Sequence, residues 1–173
     1  AGEFSLVDYF PTVFQRGGFD LVIGNPPYIG EKGNKDIFRE IKKYALRDFY
    51  NGKMDLFYFF FHLGLDIVKD GAQVALITTD YYLTATGAYK LRTDLEERGL
   101  IRRLIDFNNA RLFPAALGQH NLITIIKKDE TAQQSSLAET IITVVGNDEK
   151  MEDMGLTLQQ IISEIDSKIS VKK

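Results

Sequence analysis

The chain lacks the residues of several kinds of site: among its 173 residues are no cysteine, no tryptophan and only two histidines. Without cysteine it forms neither disulfides nor thiolate metal sites, which suits a cytoplasmic protein. His62 and His120 are far apart in sequence, so we expect no metal site. The most apolar segment, residues 56–68, is too short and too interrupted to span a membrane, and no signal peptide is visible.

The chain also has little excess charge, since 21 basic and 24 acidic residues leave a net charge of −3. This value argues against a domain that grips nucleic acid by bulk electrostatics alone. The length fits one domain, and an apolar fraction of 45% is enough for a core.

One stretch combines a short apolar run with a rigid turn. Leu21-Val22-Ile23 is mostly β-branched and Gly24 ends it, which predicts a buried strand. The sequence Asn25-Pro26-Pro27-Tyr28 follows. Each of its two prolines fixes its own φ at about −65° and lacks an amide donor. Because ligands of open α/β sheets bind beyond the carboxyl ends of strands, the turn is a candidate site. A purely structural proline turn is the alternative.

This tetrapeptide after a hydrophobic strand resembles the catalytic motif of amino-group methyltransferases that use S-adenosylmethionine, above all the N6-adenine DNA methyltransferases. The resemblance implies that adenine is flipped out of the duplex. Its amino group would donate hydrogen bonds to the Asn25 side-chain oxygen and the Pro26 carbonyl, and Tyr28 would stack on the base. Two fixed acceptors stabilise the positive charge that develops as the nitrogen attacks the methyl group.

A second aromatic is expected in the loop between predicted strands at residues 101–107 and 121–127. Phe113-Pro114 resembles the family's last motif, in which an aromatic packs on the opposite face of the flipped base, so Phe113 is the candidate and Phe107 its competitor. The segment 107–128 looks closest to adenine methylases of bifunctional type II restriction-modification enzymes, the Eco57-like and TaqI-like group. The likeness runs from about residue 9 to residue 128. Further candidates for nucleotide contacts are Gln119, His120 and Asn121.

The cofactor contacts implied by the resemblance are Pro27 and Phe60. Residues 55–68 predict a buried helix, apolar on all sides, with Asp55 as its cap. In the resembling family such a helix supplies an aromatic that packs against the adenine of S-adenosylmethionine, and the register points to Phe60. Core packing is the alternative for this residue. We expect His62 to be a packed helix residue.

Basic and aromatic side chains surround the motif. Residues 36–49 predict a helix, and the basic residues on and before it form either a phosphate-contacting rim or an ordinary solvated face: Lys32, Lys35, Arg39, Lys42, Lys43 and Arg47. Tyr81 and Tyr82 follow a predicted strand at residues 73–79 and are candidates for contacts with cofactor or DNA, with loop packing as the alternative.

The expected fold class is α/β, the C-terminal half of a doubly wound, Rossmann-like sheet of an S-adenosylmethionine-dependent methyltransferase, with its last strands antiparallel. Only 24 residues precede Asn25, fewer than the roughly 30 that a βαβ unit needs. We therefore expect most of the cofactor half to be absent and the chain alone to be inactive. Residues 1–146 would be the catalytic, target-base half. Residues 147–173, an acidic turn and a helix, would lead to a missing target-recognition domain.

These observations together predict part of a site-specific adenine DNA methyltransferase of a restriction-modification system. Its expected partners are duplex DNA and the missing N-terminal and target-recognition parts of the same protein, with no membrane involved. A methyltransferase that acts on protein glutamine or on RNA can share the motif, although a glutamine side chain needs no second ring such as Phe113. A non-catalytic scaffold is the other alternative.

Overall fold

The computed structural model describes residues 5–108, 120–131 and 140–145. They form a five-stranded sheet with the order β1-β2-β4-β3-β5. β4 is antiparallel to β2 and β3, whereas β1 is parallel to β2 and β5 is parallel to β3. The predicted α/β fold with a mixed parallel and antiparallel sheet is confirmed: β4 is the antiparallel strand, whereas the last described strand, β5, is parallel to its neighbour. The strands are β1 (Phe19–Gly24), β2 (Val68–Thr79), β3 (Gly99–Asp106), β4 (Asn121–Lys128) and β5 (Ile141–Val144).

Five α-helices and three short 3₁₀ helices complete this part of the chain. In chain order the α-helices are α1 (Leu6–Tyr9), α2 (Pro11–Gln15), α3 (Lys35–Ile41), α4 (Phe57–Ile67) and α5 (Tyr89–Arg98). The 3₁₀ helices are Ala45–Phe49, Asp80–Leu83 and Thr86–Ala88. No helix in residues 5–108, 120–131 and 140–145 is long and apolar enough to cross a membrane.

The helix predicted over residues 36–49 is wrong in its second half. α3 ends at Ile41, and a separate 3₁₀ helix carries Phe49. The Phe49 ring stacks on His62 with a centroid distance of 3.7 Å. This contact with α4 fixes the path of the chain after α3. Helix periodicity in the sequence does not reveal such a contact.

The helix α4 forms the centre of the core. Phe57, Phe61 and Leu65 are fully buried, and each stabilises the fold by about 1.5–3 kcal/mol through its burial. Gly64 brings α4 close to β2, because a Cβ at this position would lie 2.8 Å from a methyl carbon of Val74. The predicted buried helix is confirmed.

The strand β1 is confirmed as a strand, but the prediction that it is buried is wrong. Leu21 is 52% exposed and Ile23 is 73% exposed, while Val22 packs against the core. Among the described residues β1 pairs only with β2, so it forms one edge of the sheet. Side chains alternate between the two faces of a strand, and here only one face is covered.

A buried polar network joins α4 to α5. His62 is fully buried, as expected for a packed residue, and its Nδ1 lies 2.6 Å from Asp94 Oδ2. Arg98 donates to both oxygens of Asp94 and to Asp66. Burial alone would raise the pKa of Asp94, but the hydrogen bonds from His62 and Arg98 outweigh it and hold this pKa below its ordinary value. The network fixes how the two helices pack.

Candidate active site

The turn at the carboxyl end of β1 is anchored to the neighbouring strand. Asn25 and Pro27 are exposed, Pro26 is buried and Tyr28 is half-buried. The hydroxyl of Tyr28 donates to the Asn25 side-chain oxygen at 2.9 Å and shares its proton with the carbonyl oxygen of Ile77, in β2, at 3.1 Å. The turn is therefore tied to β2 through a tyrosine side chain as well as through the sheet.

The ring of Tyr28 packs edge-on against Phe57 with a centroid distance of 6.0 Å. Burial, and to a smaller extent the charge of Asp55, raise the pKa of Tyr28 above its ordinary value. The phenol therefore stays protonated near neutral pH and remains a hydrogen-bond donor.

Asp55 connects this turn to α4. Its Oδ1 accepts hydrogen bonds from the backbone N–H of Ile29 at 3.0 Å and of Phe57 at 3.4 Å. A short antiparallel bridge between Gly30 and Asp55 reinforces the link. Burial raises the pKa of Asp55, while its backbone hydrogen bonds act in the opposite direction. The prediction of Asp55 as the cap is wrong by one residue, because Leu56 occupies the N-cap position and no side chain caps it there. Asp55 nevertheless accepts from the first helical N–H, and it also positions the residue after Tyr28.

A cavity of about 230 Å³ lies between the turn and α4. It brings together four of the predicted site residues, Asn25, Pro26, Pro27 and Phe60. The ring of Phe60 is 36% exposed, although the other aromatic residues of α4 are buried. Asn25 carries the only polar side chain among the described residues that line this cavity: Val22, Ile23, Gly24, Asn25, Pro26, Pro27, Phe60, Leu63, Gly64, Ile67 and Leu76.

A larger cavity of about 750 Å³ begins two residues after the turn. Tyr81 stands at its wall and is 52% exposed, which keeps it available for a ligand. Tyr82 is buried and its hydroxyl lies 2.8 Å from Thr124 Oγ1, so its prediction as a contact residue is wrong. The described lining residues are Gly30, Glu31, Lys32, Lys35, Tyr50, Gly52, Lys53, Met54, Asp55, Tyr58, Tyr81 and Ala85.

The other residues predicted for the site are either outside the described part of the chain or partly or fully buried. Phe113 and Gln119 lie outside the described residues, as does the segment 147–173, so their roles and the proposed division at residue 146 stay predictions. Phe107 is buried in the core. His120 Nδ1 lies 3.1 Å from the carbonyl oxygen of Asn108. Asn121 is buried, and within the described part of the chain its side-chain amide has no hydrogen-bond partner.

The six basic residues after the motif differ in their contacts. Lys42 lies over the ring of Tyr50, with its Nζ 4.3 Å from the ring centroid. Arg39, Lys43 and Arg47 form local ion pairs with Asp36, Glu40 and Asp48, as a solvated face does. Lys32 and Lys35 line the larger cavity. Sequence reasoning missed Lys53 and Tyr58, which complete this wall and carry no periodic signal.

Comparison with known proteins identifies similar chains. A family model described as Eco57I restriction-modification methylase matches residues 2–113. Type II methyltransferase M.HincII of Haemophilus influenzae is 30% identical over 106 residues, which cover 60% of this chain and 21% of that protein. The chain spans about a fifth of the length of such relatives.

Solved structures show the same fold at low sequence identity. A protein described as a class I S-adenosylmethionine-dependent methyltransferase from Listeria monocytogenes aligns with a TM-score of 0.54 and 16% identity, covering 86% of this chain and 42% of that one. The DrdV–DNA complex aligns with a TM-score of 0.61 and 13% identity, covering 96% of this chain and 18% of that one. The sheet and helices described above are thus those of methyltransferases of this class.

Proposed function

Because the chain belongs to the family of Eco57I restriction-modification methylases, we propose that the whole protein transfers a methyl group from S-adenosylmethionine to the N6 amino group of adenine in DNA. The observation that carries this proposal is the shared cavity of Asn25, Pro26, Pro27 and Phe60. It combines hydrogen-bond acceptors for an amine with an exposed aromatic ring. The proposal includes duplex DNA as the partner and a cytoplasmic location.

The turn would act on the amine through two fixed acceptors. Asn25 Oδ1 accepts one hydrogen bond from Tyr28, and its second lone pair is left for the substrate. The Pro26 carbonyl would supply the other acceptor. An aromatic amine is a poor nucleophile because its lone pair is delocalised into the ring. Acceptors that are already in place stabilise the positive charge on nitrogen without reorganising during attack, so a neutral asparagine suffices.

Tyr28 and Phe113 would hold the flipped base between two rings. Tyr28 is fixed at its hydroxyl by Asn25 and Ile77 and at its ring edge by Phe57, so its exposed part presents a rigid surface. Stacking of a base on an aromatic side chain is worth about 1–3 kcal/mol. The role of Phe113 rests on its motif, since it lies outside the described residues.

The residues at the smaller cavity fit the less polar parts of the cofactor. Phe60 offers an exposed ring to a purine, and Pro27 and Leu63 complete an apolar wall. No charged side chain of the described residues lines this cavity, so it fits the ring and the methyl-bearing end better than the carboxylate and ammonium groups. When bound, S-adenosylmethionine would supply an electrophilic methyl group. Pro27 and Phe60 would orient it, and the apolar wall would exclude water.

The test measures methyl transfer from labelled cofactor to duplex DNA, followed by digestion and mass spectrometry of the nucleosides. We expect N6-methyladenine from the whole protein, and a loss of about 100- to 1,000-fold in kcat for Asn25→Ala, the usual effect of removing one transition-state hydrogen bond. Gln73→Ala is the matched control, because it removes an exposed amide from the middle of β2 that lines neither cavity. Methylation of protein glutamine or of RNA instead of DNA, or of cytosine, would contradict the proposal.

A further inference from the structure

We propose that the larger cavity binds the stretch of DNA strand that flanks the target base, holding successive phosphates with its three lysines and one base with a tyrosine. We call it the lysine–tyrosine cleft and define it by Lys32, Lys35, Lys53, Tyr58 and Tyr81. The identity of the strand rests on the proposed function. The chemistry of the cleft, an anion beside a planar ring, does not.

Two segments that line the cleft are connected to the motif, one through the chain and the other through β2. Gly30 follows two residues after Tyr28 and belongs to the first wall. Tyr81 follows β2, the strand whose Ile77 carbonyl anchors Tyr28. A nucleotide in the cleft would therefore be close to a base stacked on Tyr28. The volume of about 750 Å³ falls within the usual range of ligand pockets.

Three lysines at the cleft have no paired counterion among the residues that the structure describes. The side chains of Lys32, Lys35 and Lys53 make no ion pair and no hydrogen bond with any residue in the described part of the chain. In the same region Arg39 and Lys43 are each paired with an acidic neighbour. Unpaired ammonium groups around a concave surface attract an external anion.

The two acidic residues of the cleft are already occupied. Glu31 accepts a hydrogen bond from the hydroxyl of Tyr50, and Asp55 accepts two from backbone N–H groups. These neutral donors leave the negative charges of the carboxylates in place. The three lysines nevertheless outnumber the two carboxylates among the described lining residues, so the cleft keeps a positive character although the whole chain carries a net charge of −3.

The position of Lys53 is built into the backbone. Lys53 has φ +51°, a left-handed conformation that non-glycine residues seldom adopt, and it follows Gly52 at φ +75°. Gly87 lets this turn approach, since a Cβ there would lie 2.1 Å from the Lys53 carbonyl oxygen. Asn51 adds a hydrogen bond to the Thr86 carbonyl oxygen at 3.3 Å. Backbone strain of this kind clusters at sites that clamp ligands.

Aromatic side chains supply the second element of nucleotide recognition. Tyr81 is 52% exposed and makes no ring contact in the part that the structure describes. Burial raises the pKa of Tyr58 to about 12, so its hydroxyl stays neutral beside the lysines. An exposed ring among unpaired lysines matches the way in which proteins bind single-stranded nucleic acid.

The experiment compares two triple variants of the whole protein that each remove three positive charges. The cleft variant replaces the three lysines of the cleft: Lys32→Gln/Lys35→Gln/Lys53→Gln. The control variant replaces three ion-paired cations outside the cleft: Arg39→Gln/Lys43→Gln/Arg47→Gln. Binding of a fluorescent single-stranded 12-nucleotide DNA is measured by anisotropy at several salt concentrations. The cleft variant should lower the magnitude of the slope of log K against log salt by about 2, since each phosphate contact contributes about 0.7. The control variant should keep the slope.

Tyr81 gives an independent readout. Tyr81→Ala should weaken binding of the oligonucleotide about 5- to 150-fold and Tyr81→Phe should preserve it, because the ring and not the hydroxyl does the stacking. Equal slopes for the two triple variants would overturn the proposal, as would displacement of the oligonucleotide by an equimolar nucleoside triphosphate. Should a triple variant fail to fold, as judged by its circular dichroism, Lys32→Gln and Arg39→Gln replace the pair with a slope change of about 0.7. If the two triple variants differ in slope as expected but the whole protein transfers no methyl group, the proposed function is contradicted. The proposal that the cleft binds DNA is then retained.

Discussion

The hydroxyl of Tyr28 lies 2.9 Å from the side-chain oxygen of Asn25 and donates to it. A hydroxyl has one proton, and this one is shared with the carbonyl of Ile77 at 3.1 Å. Tyr28 therefore does more than present a ring at the candidate site. It also orients the amide of Asn25 and joins that amide to β2.

Removal of this hydroxyl should separate the two roles of Tyr28. Tyr28→Phe keeps the ring but releases the Asn25 amide, so we expect kcat for methyl transfer to fall roughly five-fold, the value of a net hydrogen bond of about 1 kcal/mol, with KM for DNA unchanged. Tyr28→Ala should in addition raise KM for DNA, because stacking worth about 1–3 kcal/mol is lost. Steady-state kinetics check both. Equal effects of the two substitutions would show that the hydroxyl has no orienting role.

Asp55 should tolerate the loss of its charge but not of its oxygen. Burial raises its pKa, so the charged form is less favourable in the folded protein than in the unfolded chain, and its contribution to stability declines as pH rises through the folded pKa. Asp55→Asn keeps an acceptor for Ile29 and Phe57 and should leave stability at pH 7 equal or higher. Asp55→Ala should lower it by about 1–2 kcal/mol. Urea unfolding measures both, and a less stable Asn variant would contradict this account.

The pair of Asp94 and Arg98 should make stability fall in acid. The pKa of Asp94 is held below its ordinary value, so its contribution is present above the unfolded pKa of about 4 and is lost as pH falls through the folded pKa. Asp94→Asn should therefore reduce stability at pH 7, by about 3 kcal/mol, and weaken the acid-dependent loss. Thermal unfolding from pH 7 to about pH 3 measures both effects.

Asp36→Asn is the control for this prediction, because Asp36 is also paired with an arginine but its side chain is 90% exposed. Exposed pairs of this kind contribute less than about 1 kcal/mol. A similar loss of stability in the two variants would show that the buried network of His62, Asp94 and Arg98 has no special weight.

Local patterns in the sequence predicted most of the elements that form the site. Runs of β-branched residues predicted that β1 and β2 are strands, and the all-apolar segment after Asp55 predicted the helix α4. Each of these features depends on residues that are close together in the chain, and local chemistry is sufficient for them. Phe60 was selected instead by the resemblance to a known family, and it is the aromatic residue of α4 that is exposed and lines the smaller cavity.

The predictions from sequence were wrong or incomplete where a contact between residues far apart in the chain determines the structure. Tyr81 and Tyr82 are adjacent and chemically alike, but only a partner in β4, Thr124, draws Tyr82 into the core. Phe49 leaves the predicted helix to stack on His62. The position of Lys53 at the cleft depends on the close approach of its backbone to Gly87, which lies 34 positions later in the chain. Contacts of this kind have no periodic signature in one sequence.

The edge formed by β1 has a consequence for work with this chain in solution. Its outer backbone N–H and C=O groups have no partner strand in the described residues, and Leu21 and Ile23 make the adjoining surface apolar. Such an edge is a template for intermolecular sheet extension and hence for aggregation. The ion pair of Asp20 with Lys69 places charge beside it and acts as a gatekeeper against this process. We therefore expect the same strand that presents Asn25 to limit solubility at high concentration.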